Sequence, residues 1–128
     1  MTVIPLQDKG QEMPPAQGCA IGFVDSLRQC DAIVHSLNAV GFPDSVIMVL
    51  TGEDGVHLLN RMMGDSLWGE AAEIVLKKGL IELSHGHLVL IIAVRDRDEG
   101  LIVANIAARH GGHRFNHFGL LVDEQLIP

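Results

Sequence analysis

The chain has 128 residues and a formal net charge of −7, from 9 lysines and arginines against 16 aspartates and glutamates. This length suits one domain with its own core, and the acidic balance disfavours nucleic acid and anionic membranes as partners. The longest apolar run, LVLIIAV at 88–94, is far shorter than the roughly 20 residues of a membrane-spanning helix. Only two cysteines occur and residues 1–17 lack the pattern of a secretory signal, so we expect a cytoplasmic protein.

The first half of the chain has the pattern of a strand, a helix and a second strand. Residues 1–17 contain three of the five prolines and no apolar period, which predicts a flexible tail. CAIGFV at 19–24 predicts a strand, and SLRQ from Ser26 to Gln29 matches a capping box that opens a helix. The glycine of GFP ends that helix, and SVIMVL at 45–50 predicts the second strand.

The second half begins with two predicted helices and then repeats the order of strand, helix and strand. The two helices cover about 54–63 and about 66–78, and each is closed by a glycine. HLVLIIAV at 87–94 predicts the third strand. DRDE from Asp96 opens another capped helix, and HRFNHFG at 113–119 predicts the last strand.

A shift of 70 positions relates the two halves of the chain. It places the capping box of Ser26 on that of Asp96 and aligns Gly41 with Gly111. Two strand–helix units of equal length are typical of a ferredoxin-like βαββαβ sandwich. We therefore predict an α+β fold with a single domain over 18–128. One or two helices are inserted between strands 2 and 3, and the spatial order of the strands is fourth, first, third, second.

Both faces of the predicted sheet are apolar. Along 88–94 the side chains that point to either side are all hydrophobic. Because the helices of a ferredoxin-like sandwich cover only one face, the second face needs another cover. The inserted helices or a second copy of the chain would supply it, and we expect a homodimer.

Four of the seven histidines are expected at one end of this sheet. His85 and His87 lie about 6.6 Å apart on one side of an extended segment, close enough to bind one ion of zinc or another divalent transition metal. A complete site needs further ligands. The candidates in neighbouring elements are His110, His113, Asp25 and Glu53.

Structural roles compete with this metal site. His110 suits the C-terminus of a helix, where a cation is favoured, and Gly111 with Gly112 suits a turn. His113 and His117 would share one face of the last strand about 13 Å apart, which is too far for one ion. These two histidines would then serve only to keep an edge strand polar.

The sequence assigns no catalytic residue. It contains no nucleophile elbow, phosphate-binding loop, dinucleotide fingerprint or C-x-x-C pair. Cys30 shares a predicted helix face with Ile33 and Leu37, which indicates a core residue rather than a nucleophile.

The segment AIGFVDSLRQCDAIVHSLNAVGFP contains a strand, an aspartate turn, a helix and Gly-Phe-Pro. It resembles small bacterial heat-induced or general stress protein domains of ferredoxin-like type, which open with a comparable G-V-F-D strand and turn. AARHGGHRFNHFG is similar to them more loosely. The motifs that carry the resemblance are structural, so it implies a fold and no particular reaction.

Three functions follow from these observations. The first is a non-enzymatic regulatory, stress-related or ligand-sensing domain that acts as a homo-oligomer, because its strands are apolar on both faces and catalytic motifs are missing. The second is a divalent transition-metal-binding protein centred on His85 and His87. The third is a small dimeric enzyme with a pocket between helices and sheet.

Overall fold

The computed structural model describes residues 2–3, 18–64, 69–119 and 123–126, which form a mixed α+β structure. Two helices are inserted between the second and third of the predicted strands. The elements and their bounds are β1 (Thr2–Val3), β2 (Cys19–Val24), α1 (Leu27–Ala39), β3 (Ile47–Leu50), α2 (Gly52–Met63), α3 (Gly69–Ser84), β4 (Leu88–Ala93), α4 (Arg97–Arg109), β5 (His113–Phe118) and β6 (Asp123–Gln125). The predicted α+β class is confirmed.

One sheet contains the six strands of the described residues, in the order β1-β3-β4-β2-β5-β6. β1 pairs with β3 in parallel, and every other neighbouring pair is antiparallel. β3 begins two residues later than predicted, because Asp44–Val46 forms a 3₁₀ turn. Of the predicted tail, Thr2–Val3 pair with Met48 and Val49, and residues 1 and 4–17 lie outside the described part of the chain.

The predicted capping box at the start of α1 is confirmed. The Ser26 hydroxyl accepts a hydrogen bond from the Gln29 backbone N–H at 3.2 Å. The Gln29 carboxamide oxygen accepts a hydrogen bond from the Asp25 N–H at 3.0 Å, one residue before the N-cap. Backbone donors at the helix start are thereby satisfied, and Asp25 is held at the end of β2.

The start of α4 repeats this arrangement 70 positions later. Asp96 accepts from the Glu99 N–H at 2.9 Å, and Glu99 accepts from the Arg95 N–H at 2.7 Å. The Arg95 guanidinium also donates to Glu99, and these bonds hold the pKa of the Glu99 carboxyl below its ordinary range. The 70-residue shift that relates the two halves of the sequence therefore corresponds to the same local geometry in both halves.

Two helices cover each face of the sheet. α1 and α4 pack on one face, and α2 and α3 pack on the other. In the second layer, Ile21, Phe23 and Ile91 of the strands are buried together with Leu59 and Leu76 of the inserted helices. The inserted helices, one of the two covers that we considered, therefore cover the second face, and the apolar strands give no reason to expect a homodimer.

α3 is longer than predicted, because Gly79 does not end it. The helix continues to Ser84, while residues 66–68 of the predicted helix lie outside the described part of the chain. A Cβ at Gly79 would stand 2.9 Å from Leu59 Cδ1 and 3.5 Å from the Phe23 ring. The glycine lets α3 approach α2 and the sheet closely.

Among the described residues, no helix combines the length and apolarity that a membrane span requires.

Candidate functional site

Four titratable side chains meet at one end of the sheet. Asp25 follows β2, His87 precedes β4, and His113 is the first residue of β5. Because β2 is antiparallel to both β4 and β5, its end lies beside their beginnings. Glu82 joins them from the last turn of α3. We call these four residues the acid–imidazole cluster.

Two hydrogen bonds and two longer ion-pair contacts connect the four members of the cluster. His87 Nδ1 donates to Glu82 Oε2 at 2.5 Å and lies 3.5 Å from Asp25 Oδ1. His113 Nε2 donates to Asp25 Oδ1 at 2.9 Å, and His113 Nδ1 lies 3.9 Å from Glu82 Oε1. One ligand atom from each of Asp25, Glu82 and His113 lies within 4.8 Å of the other two. These three side chains are close enough to share one cation.

The cluster is partly shielded and still reachable from solvent. The side chain of Glu82 is 15% exposed, those of His87 and His113 are 30% exposed, and that of Asp25 is 55% exposed. Partial shielding strengthens the charge interactions, and the exposed carboxylate of Asp25 leaves an approach for an ion.

The environment favours a positive charge on His87. The hydrogen bond to Glu82 raises the pKa of the His87 imidazole above its ordinary value, and the charges of Asp25 and Glu82 add to this effect against partial desolvation. The cluster therefore contains two carboxylates that attract positive charge, which a proton or a metal ion supplies.

A β-bulge directs His113 into the cluster. Ala20 of β2 pairs with His117 of β5, but the register then shifts so that Phe23 pairs with His113. Arg114 lies in the irregular stretch with a φ of 56°. His113 therefore points to the α2–α3 face and His117 to the α1–α4 face, and our prediction that both share one face is wrong. Bulges commonly redirect side chains next to functional sites.

Two glycines make room for this bulge and for the turn before it. The Phe115 ring occupies the position where a side chain of Gly22 would begin. Gly111 has a φ of +84°, and a Cβ there would lie 2.5 Å from the Gln29 carboxamide that holds the Asp25 N–H. The segment RHGGHRFNHFG is thus a helix end, a turn and a bulged strand that bring His113 to Asp25.

The residues predicted as metal ligands have different positions. Asp25, His87 and His113 lie in the cluster, whereas His85 is exposed, and its ring lies edge-on to that of His87 with ring centres 5.9 Å apart. His110 caps the C-terminus of α4, and its Nε2 lies 3.2 Å from the hydroxyl oxygen of Ser36. His85 and His110 are therefore outside the group that can share an ion.

Glu82 is the member of the cluster that the sequence analysis missed. The helix was predicted to end near residue 78, which left Glu82 in an unassigned stretch. Its spacing from His87 could have predicted the contact. The chain reverses direction between these two residues, at the last turn of α3 and Gly86, and this reversal brings Glu82 and His87 together.

Cys30 is buried, as predicted for a core residue, and Cys19 is buried as well. Burial raises the pKa of the Cys30 thiol to about 11, with a smaller contribution from the charge of Asp31. The thiol therefore stays protonated near neutral pH and is a poor nucleophile.

Comparison of the chain with protein-family models, with curated proteins and with solved structures finds no match. The chemistry of the site is consequently inferred from its geometry. Two carboxylates and an imidazole from three separate elements form a donor set that suits a transition-metal ion.

Proposed function

We propose that this chain binds one divalent transition-metal ion through Asp25, Glu82 and His113, and that it serves as a ligand-sensing domain whose ligand is the metal. The observation that carries the proposal is the mutual approach of three ligand atoms to within 4.8 Å. Each atom comes from a different element, so the folded chain assembles a site that its unfolded form lacks.

The observed separations can be compared with those of a bound zinc ion. Zinc bonds to nitrogen and oxygen are about 2.0–2.1 Å long, so neighbouring ligands of a tetrahedral site lie about 3.3 Å apart. His113 Nε2 lies 2.9 Å from Asp25 Oδ1, close to this value, whereas the distance of 3.9 Å to Glu82 Oε1 starts from the other ring nitrogen, Nδ1. Because an imidazole binds one ion through one nitrogen, the ion would require a side-chain rotation that turns both carboxylates to the same nitrogen of His113, and the 4.8 Å limit on the separation of the three ligand atoms leaves this within reach.

The donor set also supports a choice among metals. Magnesium and calcium prefer all-oxygen ligands, whereas zinc, copper, nickel and cobalt bind imidazole well. His113 therefore favours a transition metal. Three protein ligands would leave one tetrahedral position for water or another molecule.

His87 acts as a positioning residue in this proposal. It donates to Glu82 at 2.5 Å, which fixes the orientation of that carboxylate on the buried side of the cluster. Loss of such an outer contact typically weakens metal binding about 10–100-fold. The proposal thus departs from the pairing of His85 with His87 that the sequence favours.

The test is zinc calorimetry on chain produced without an affinity tag and treated with a chelator. We expect one zinc ion per chain, a loss of binding in His113→Ala and Glu82→Gln, and weakening of about 10–100-fold in His87→Gln. His85→Ala and the exposed helix variant His57→Ala serve as matched controls and should bind like the unmodified chain. Unchanged binding in both His113→Ala and Glu82→Gln would reject the site.

We further infer that the architecture is a ferredoxin-like sandwich extended by the α2–α3 hairpin. The order β3-β4-β2-β5 of the four longer strands and the repeated capping geometry support this assignment. The resemblance to stress protein domains agrees with it at the level of fold. A homo-oligomer is not needed for the metal site, because one chain supplies all the residues.

A further inference from the structure

A second site candidate lies beside α3, at the edge of the core layer that contains Phe23. It is a cavity of about 200 Å³ between α3 and the bulged end of β5. Phe23 and Val75 form its buried apolar base, and Ile74 of α3 extends this surface towards solvent. The volume is below the roughly 300–1,000 Å³ of sites for drug-sized molecules, so only a small ligand would fit.

Two cations from different elements line this cavity. Lys78 comes from α3 and Arg114 from the bulge in β5. Among the described residues, no acidic side chain forms an ion pair with either of them, whereas Lys77 pairs with Glu73 at 3.2 Å. In a chain with a net charge of −7, two unneutralised cations at one cavity create a local attraction for an anion.

The neutral polar groups of the cavity are also arranged together. Asn116 and Gln125 line it and are direct partners across the β5–β6 pair. Asn116 also pairs with Ile21, which belongs to the α2–α3 face, so the amides lie on the same side of the sheet as the apolar base. Carboxamides can donate hydrogen bonds to an oxyanion beside the two cations.

The backbone at Arg114 supports a specific role for this residue. Its φ of 56° is uncommon for a residue other than glycine, asparagine or aspartate, and the bulge maintains it. This conformation places Arg114 at the cavity, directly after His113 of the cluster. Such local strain is often found where a side chain must be oriented for binding.

We propose that this cavity binds a small organic carboxylate with a short apolar end. Lys78 and Arg114 hold the carboxylate, the Asn116 and Gln125 amides complete its hydrogen bonds, and the apolar end contacts Val75 and Ile74 above the buried Phe23. This site is independent of the metal proposal, since it shares none of the three metal ligands and its test uses metal-free protein.

The experiment is a titration of the isotope-labelled, chelator-treated full chain with sodium butyrate, followed by NMR amide shifts. We expect saturable shifts at the lining residues and at least tenfold weaker binding of butyramide, which has the same shape and no charge. Inorganic phosphate is a third probe, and it should bind more weakly than butyrate because it cannot use the apolar base. Tighter binding of phosphate would overturn the assignment to a carboxylate.

Variants separate this site from general charge attraction. Lys78→Met and Arg114→Asn should each weaken butyrate binding about tenfold or more, because each removes one charge-assisted contact. Asparagine tolerates the positive φ, so the bulge should persist, and the amide spectrum reports whether it does. Lys77→Met removes the same charge from the next residue on α3 and should leave binding unchanged. No saturable binding of butyrate, or equal weakening by Lys77→Met, would refute the proposal.

Discussion

Gly22→Ala tests whether the bulge that orients His113 depends on the absence of one side chain. The added Cβ would overlap the Phe115 ring, which is fully buried and cannot move into solvent. Overpacking a core costs about 1–3 kcal/mol, and the upper part of this range applies because the overlap is with the ring itself. Alanine regains about 0.5–1 kcal/mol of backbone entropy relative to glycine. The net expected loss of stability is about 2 kcal/mol.

The assay is urea unfolding followed by circular dichroism, together with a thermal melt. For a domain of this size, a loss of about 2 kcal/mol corresponds to a decrease of roughly 6–10 °C in the melting temperature. Gly22→Ala should also weaken zinc binding. Displacement of Phe115 would distort the bulge, and the bulge is what places His113 beside Asp25.

Two further variants make this reasoning refutable. Combining Gly22→Ala with Phe115→Leu should cost less than the sum of the single changes, since a smaller side chain leaves room for the new methyl. Gly100→Ala is the matched control: its Cβ would stand 3.4 Å from His117, an ordinary contact, and helix propensity favours alanine by about 1 kcal/mol. Equal stability of Gly22→Ala and the unmodified chain, or strict additivity in the double variant, would contradict the proposed steric conflict.

Three other outcomes follow from the geometry. In metal-free protein, the pKa of His87 measured by NMR titration should lie above 6.5 and should fall in Glu82→Gln, and an unchanged pKa in the variant would refute the coupling. Because folding raises this pKa, the stabilisation from the His87–Glu82 pair is complete below pH 6.5 and is lost as pH rises through the folded-state pKa. Ser26→Ala should reduce stability by about 1 kcal/mol in urea unfolding, because it removes the cap of α1, and a neutral result would show that the cap is dispensable. Gly79→Ala should destabilise the chain despite its better helix propensity, since the Cβ would lie 2.9 Å from a buried side chain, and a stabilised variant would disprove the close approach of α3.

The features that sequence analysis predicted well depend on local interactions. The capping boxes at Ser26 and Asp96 are complete within four or five residues, so their hydrogen bonds could be read from spacing alone. The strand at 19–24 was predicted with its observed bounds, because its apolar residues are followed at once by the helix start.

The features that it missed depend on tertiary contacts. Gly79 has the same sequence signal as a helix stop, and only its distance to Leu59 shows that it is a packing residue inside a helix. The bulge at Arg114 reverses the side of the sheet to which His113 points, and strand alternation cannot predict such a reversal. Asp25, His87 and His113 of the cluster were among the predicted candidates, whereas Glu82 was missed because it lies beyond the predicted end of its helix.

The two-sided cover of the sheet has a mechanical consequence. Asp25 and His113 are carried by the sheet and its adjoining turn, whereas Glu82 belongs to the α2–α3 layer. An ion held by all three would cross-link this helical layer to the strands at one end of the sheet. Amide protons of α2 and α3 should then exchange with solvent more slowly when zinc is bound, while those of α1 and α4 should change less.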